Sequence, residues 1–320
     1  MNTFRCFFLL FGLNCLNTAA RAQTKDSGAY RWIDFQWMGA TIDGKSFPKA
    51  AIFLPVQIDG LNGTFMAQFD LGADITELYG NALKNYYSDR AALLQQLDTV
   101  NKGVSDGGVT MYPVKGLGAS TGGYPLGRMY YAEGFGDEIP KDSLFTVTSK
   151  LIGTIGASFV KDKVLVIDYP NHRMCVLDTL DGYWSARTTF VEGRVRKGRI
   201  QVPLTIGGKI EWVLYDTGAS IFPLWVGKKL WSSMVDPKAK VDSMMIPSWG
   251  EQVRCYGAQM GAQVFLSSYR LPRAELWYSD SKRLNSFNEE EGIAGLTGNA
   301  YFLGKTIVID FKNMRFGVLR

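Results

Sequence analysis

The chain is one module written twice. Residues Gly153–Leu177 lie over Gly295–Leu319 without a gap, at an offset of 142, and ten of the positions are identical. Upstream, Pro55-Val56-Gln57-Ile58-Asp59-Gly60 matches Pro203-Leu204-Thr205-Ile206-Gly207-Gly208. Between these anchors each copy carries an aspartate turn at the end of an apolar run. One reads Phe69-Asp70-Leu71-Gly72-Ala73-Asp74 and the other Tyr215-Asp216-Thr217-Gly218-Ala219-Ser220. A repeat of about 130 residues restricts the chain to two similar units in tandem, because each copy has to satisfy the same pattern of buried faces.

The pattern inside each copy is that of strands. Short runs rich in Val, Ile, Phe, Tyr and Trp alternate with Gly, Asn, Asp and Pro. Val164–Tyr169 with Arg173–Leu177 predicts a hairpin, and Thr306–Phe311 with Arg315–Leu319 predicts its counterpart. Asp168 and Asp310 are expected to cap those turns, with Arg173 and Arg315 pairing locally. Helices are expected only over Asn81–Leu97 and Val226–Val235. The segment Asp178–Arg199 reads as the crossing between copies. Its basic run Arg194–Arg199 reads as a solvated edge, and Asn285–Gly292, with three glutamates, as a solvated loop. The expected organisation is a leader over 1–22, a first lobe over 23–185 and a second over 186–320.

Met1–Ala22 has the layout of a cleaved secretory signal: Arg5, an apolar run Cys6–Leu16, then Ala20-Arg21-Ala22. That implies a secreted or periplasmic protein. A lipid anchor at Cys15 is a poorer fit, given Gly12-Leu13-Asn14 before it. No later run is long enough for a membrane helix. The formal charge of +5 becomes +3 without Arg5 and Arg21, too small a surplus to predict nucleic acid as a partner. Cys175 and Cys255 occupy non-equivalent positions, so buried thiols are preferred to a disulfide. The single histidine, His172, falls in a hairpin turn. That leaves no zinc site of the His-Glu-x-x-His kind and argues against a Ser-His-Asp or Cys-His mechanism. No metal and no cofactor is expected. The glycines of Gly116–Gly123 lack the strand-to-helix context of a dinucleotide loop.

Two aspartate turns brought together do chemistry that one does not. Carboxyl groups in contact share a proton and titrate as a pair. The ionised member takes a proton from water while the protonated one donates to a carbonyl oxygen, which hydrolyses an amide without metal or covalent intermediate. Gly72 and Gly218 let the two backbones approach.

Asp70-Leu71-Gly72-Ala73-Asp74 and Asp216-Thr217-Gly218-Ala219-Ser220 resemble the catalytic signatures of aspartic proteases, the pepsin-like and retropepsin-like group. The resemblance continues through Gly153-x-x-Gly156 and Gly295-x-x-Gly298 to the hairpins, covering most of 48–178 and 200–320. It implies an all-β chain of two similar β-barrel lobes about a pseudo-twofold axis, the acid-protease fold, with a few short helices. It implies a monomeric endopeptidase acting on polypeptides, with Asp70 and Asp216 catalytic. Gly156 and Gly298 would then thread behind the catalytic loops. Family members usually have Thr after the aspartate, bonding across to the other lobe. Thr217 supplies it once, and Leu71 leaves the other half of that brace unmade. Ala73 and Ala219 stand where pepsin-like members often have a hydroxyl, which implies activity at mildly acidic to near-neutral pH. Within Gly103–Gly123, Tyr112 is the expected flap residue, with an ordinary surface hairpin as the plainer reading. Two other functions fit the same frame: a peptide-binding module in which Leu71 misplaces Asp70, and a structural extracellular protein.

Overall fold

The computed structural model describes residues 3–4, 30–105, 107–248 and 251–320. The predicted leader, with Cys6 and Cys15, lies outside the described residues apart from Thr3–Phe4. Strand outweighs helix, 46% to 17%, so the chain is mainly β as expected. No helix among the described residues is long and apolar enough to cross a membrane.

Three sheets carry the fold. In the first large sheet the strands around the aspartate turn run in the order Met129–Ala132, Thr76–Tyr79, Lys150–Ile155, Phe65–Phe69, Lys45–Ile58. In the second the order is Glu275–Ser279, Leu224–Val226, Gly295–Thr297, Lys209–Tyr215, Arg199–Ile206. The two orders correspond strand for strand, with parallel and antiparallel pairs in the same places. Among the described residues neither sheet closes on itself. The barrels expected from the sequence are therefore open, mixed sheets.

The third sheet takes strands from both copies, in the order Thr188–Glu192, Arg315–Leu319, Thr306–Asp310, Val164–Asp168, Arg173–Leu177, Ile33–Asp34. At its centre Val164–Asp168 runs antiparallel to Thr306–Asp310, with Val166 opposite Val308, which are equivalent residues of the repeat. Apart from Thr306 at the start of one, these strands are apolar until their final aspartates because both faces are covered. The aspartates close the hairpins as predicted. Asp168 takes Arg173 Nε at 2.9 Å and Asn171 Nδ2 at 2.8 Å; Asp310 takes Arg315 Nη2 and Asn313 Nδ2, both at 2.8 Å. Cys175 and Cys255 are free and buried.

The first copy also reaches into the second. The hairpin Gln36–Ile42 and Lys45–Ile58 turns at Asp43-Gly44 and seats Ile42 in a cluster with Met244, Ile246 and Phe222. Asp43 Oδ2 accepts from Met245 N–H at 2.7 Å, and Lys45 pairs with Asp242.

Several local expectations change. The helix expected over 81–97 is broken into Gly80–Leu83, a 3₁₀ turn Lys84–Tyr86 and Arg90–Leu94, the last capped by Asp89. Val226–Val235 shrinks to the helix Lys228–Met234. Gly116–Gly123 runs into a hairpin that pairs Ala119–Thr121 with Tyr124–Pro125. The lobe boundary between 185 and 186 falls inside the helix Gly182–Arg187. The expected loop Asn285–Gly292 lies in the helix Lys282–Glu291 and the residue that ends it. Ser281 caps that helix, Leu284, Phe287 and Glu291 form its buried stripe, and Gly292 stops it in the left-handed conformation at φ 64°. Arg194–Arg196 is an edge strand as expected, paired only with Arg199–Ile206, and Arg196 and Lys197 are exposed, but Arg199 at the end of the run is 1% exposed.

Candidate active site

Each aspartate sits where a parallel strand pair ends. Phe65–Phe69 runs beside Lys150–Ile155, and Asp70 N–H donates to Ile155 O at 3.0 Å. Lys209–Tyr215 runs beside Gly295–Thr297, and Asp216 N–H donates to Thr297 O at 2.9 Å. Past each aspartate the chain doubles back, and the glycine N–H two residues on donates to its Oδ1. The distance is 2.8 Å for both Gly72 to Asp70 and Gly218 to Asp216. Ala73 N–H adds a second donor to Asp70 Oδ1 at 3.2 Å. The glycine segments behind the loops are tight. A methyl group on Gly156 would lie 2.1 Å from Ile75 O, and one on Gly298 2.0 Å from Ala219 O. Only glycine fits in either place.

The two turns face each other across their glycines. A methyl group on Gly72 would lie 2.6 Å from the Asp216 carboxyl, and one on Gly218 2.5 Å from that of Asp70. Both aspartates have no exposed surface. Their carboxyl groups adjoin one another across the glycines, and each Oδ2 is buried with no donor from any other residue. A carboxylate pair in this state keeps a proton between its members, since two ionised groups so placed are unaffordable. Asp70 is held well above the ordinary carboxylate range, first by burial, then by the charge of Asp216 and the bond to it. Asp216 is also raised by burial, opposed by its bond to Asp70, by the Gly218 and Ala219 N–H groups and by the charge of Arg199.

Thr217 joins the two copies. Its hydroxyl accepts from Leu71 N–H at 2.9 Å and donates to Phe69 O at 2.9 Å. Leu71, fully buried, offers no such bond in return. Even so, Asp70 keeps the backbone contacts that Asp216 has, at matching distances.

A polar network also backs the Asp216 turn, drawing Tyr169 from the first copy and Tyr215 and Asn299 from the second. Tyr169 donates to Asn299 Oδ1 at 2.5 Å and bonds Tyr215, whose hydroxyl lies 3.1 Å from the same oxygen. Asn299 Nδ2 bonds Thr217 O at 3.0 Å and Ser220 Oγ at 2.6 Å. The positions equivalent to Tyr215 and Asn299 in the first copy are Phe69 and Ala157, and the position equivalent to Tyr169 in the second copy is Phe311. Sequence reasoning missed this network, and the asymmetry between otherwise matching positions was the available signal.

Tyr112 is not among the residues brought to the dyad. It is buried in the main core beside Tyr131, and its hydroxyl bonds Glu133 Oε2 at 3.0 Å. Its strand neighbour Met111 faces the other way, onto Tyr130, Ala132 and Ile75. Cavities of about 520 Å³ beside Arg254 and Lys282, and of about 340 Å³ beside Glu138 and Lys150, lie away from the aspartates. No group of three or more His, Cys, Asp or Glu suited to a metal occurs among the described residues. A scan against protein-family models and a search of curated proteins return no match.

Proposed function

We propose that the chain is an aspartic endopeptidase with two lobes related by a pseudo-twofold axis in the acid-protease manner. The observation that carries this reading is the reciprocal fit of Gly72 to Asp216 and Gly218 to Asp70. Two equivalent carboxyl groups meet, out of water, each with one oxygen committed to a backbone N–H and the other left for chemistry. The singly ionised pair takes a proton from a water held between the Oδ2 atoms. The neutral member donates its own proton to the peptide carbonyl as the water attacks, giving a tetrahedral diol. Collapse of the diol moves a proton to the leaving nitrogen and returns the pair to its starting state. The backbone donors and the Thr217 brace fix the carboxyl planes throughout, so little reorganisation is needed as charge moves. Full burial of both aspartates implies that chain over them moves aside to admit substrate. We place the mature protein outside the cytoplasm, on the signal-like leader.

Leu71 is the one feature that favours a binding module that no longer cuts. The unchanged geometry of Asp70 beside it favours turnover instead. The test is hydrolysis of a denatured protein such as casein between about pH 4 and 7, with and without a statine-type inhibitor. Asp216→Asn is expected to abolish turnover, and Asp70→Asn likewise. Peptide binding without turnover in the unsubstituted chain would select the binding module. Neither binding nor turnover would reject both.

A further inference from the structure

The dyad is asymmetric in one respect that the repeat exposes. At Arg199 in the second copy the first copy has Ala51, by the register that matches Pro55 to Pro203. Arg199 begins the strand Arg199–Ile206 and is 1% exposed, so its guanidinium is one of the largest side chains buried in the protein. Burying an isolated cation is costly, and it is tolerated when the charge is paired. The partner is Glu291, 2% exposed at the end of the helix Lys282–Glu291, with Arg199 Nη2 at 2.8 Å from its Oε1. Glu291 is also approached by Lys197 at 3.2 Å and Arg196 at 3.8 Å. Three cations share one carboxylate, so the cluster keeps a net positive charge.

The other arm of Arg199 crosses to the first copy. Nη1 donates to Gly72 O at 3.4 Å. That carbonyl belongs to the peptide whose N–H is Ala73 N, the donor to Asp70 Oδ1. A cation on the carbonyl end of a peptide polarises it and strengthens donation from its N–H end. Ala51, the counterpart of Arg199, offers no cation to Gly218 in return.

We propose that Arg199, clamped by Glu291, is a positioning residue for the dyad: it fixes the Gly72–Ala73 peptide on Asp70 and supplies the positive field that keeps the pair singly ionised. This rests on the protease reading and adds to it the group that sets the acid limit of activity. Tyr215 and Tyr169 are neutral phenols beneath Asp216, and burial raises both further. Among the charged side chains acting on Asp216, Arg199 is the cation that favours its ionised form. Burial raises Asp216, and the charge of Arg199 is among the causes that oppose it.

The test compares Arg199→Met, which removes charge at similar length, with Arg199→Lys, which keeps charge and loses the fork. The lower of the dyad's two titrations is followed by carboxyl-¹³C NMR of Asp-labelled protein, and by the acid limb of kcat/KM where turnover is present. Removing a cation disfavours the ionised form, so Arg199→Met should move the lower titration upward by about one pH unit, roughly tenfold in acid sensitivity. Arg199→Lys should move it by less than half as much while kcat falls. A purely structural Arg199 would lower the melting temperature in both variants and leave the titration in place, which overturns the proposal. If Arg199→Met does not fold, Glu291→Gln decides: losing the counter-charge should move the titration downward, and an unmoved or raised value overturns the proposal. The NMR readout does not need turnover. A chain that never cuts casein but titrates as described loses the protease reading and keeps the role of Arg199 at the carboxyl pair.

Discussion

Replacing Thr217 with valine removes one hydroxyl and keeps the side chain's shape. That hydroxyl answers two buried backbone groups of the other copy, Leu71 N–H and Phe69 C=O, both at 2.9 Å. Leu71 and Phe69 are fully buried, as is Thr217, so water does not replace the lost partner. Each orphaned group costs about 1–3 kcal/mol. The substituted methyl fills the vacated volume, so no cavity cost adds to this. Thr217→Val should therefore lose about 2–6 kcal/mol in urea unfolding, followed by tryptophan fluorescence and far-ultraviolet circular dichroism. Thr217→Ser, which keeps the hydroxyl, should lose much less. Hydrolysis should fall further than stability, because the brace sits between the residues next to both aspartates. A Thr217→Val protein within about 0.5 kcal/mol of the parent, well inside the range for an unimportant surface change, would refute the account of the brace.

Gly72→Ala sets a methyl group 2.6 Å from the Asp216 carboxyl, and Gly218→Ala sets one 2.5 Å from that of Asp70. Either should displace the opposite carboxyl and cut kcat by about a hundredfold or more; kcat within threefold of the parent in a casein assay would contradict the facing geometry. Asp70→Asn should change how stability depends on pH. Folding raises the carboxyl of Asp70, so the unfolded chain releases that proton first and the parent loses stability as pH rises from about 4 through the folded value. Asparagine has no such proton, so Asp70→Asn should gain melting temperature on the parent between about pH 4 and 8 and show no gain at pH 3. A difference constant with pH would show that the raised carboxyl is not coupled to folding.

What the sequence disclosed was what repetition and local periodicity can carry. The hairpins at 164–177 and 306–319 were visible because identical residues recur at fixed offset in strands of period two. The aspartate turns and glycine segments stood out for the same reason, and the structure brings Asp70, Asp216, Gly156 and Gly298 where that pattern led. Arg199 and Glu291 were out of reach, because they lie 92 residues apart and each sits in a charged run that reads as solvated. The helix holding Glu291 was still legible from Ser281, from the Leu284–Phe287–Glu291 spacing and from Gly292, had the three glutamates not dominated the reading. Tyr112 was chosen for its glycine-rich surroundings, but strand alternation decides which face a residue takes. That choice depends on register, which composition does not specify.

The central pairing of Val164–Asp168 with Thr306–Asp310 about Val166 and Val308 has a further consequence. A strand that pairs antiparallel with its own equivalent is self-complementary, so half of this chain carries an edge fit for a second copy of itself in an isologous contact. A homodimer of first halves would set Asp70 against Asp70 with leucine in both brace positions and alanine at both sites of the buried guanidinium. A homodimer of second halves would double Thr217 and Arg199, putting two buried cations where the joined chain has one. Covalent linkage releases the halves from being identical: one brace and one cation suffice when the partner is always present, and the other side is free to become apolar.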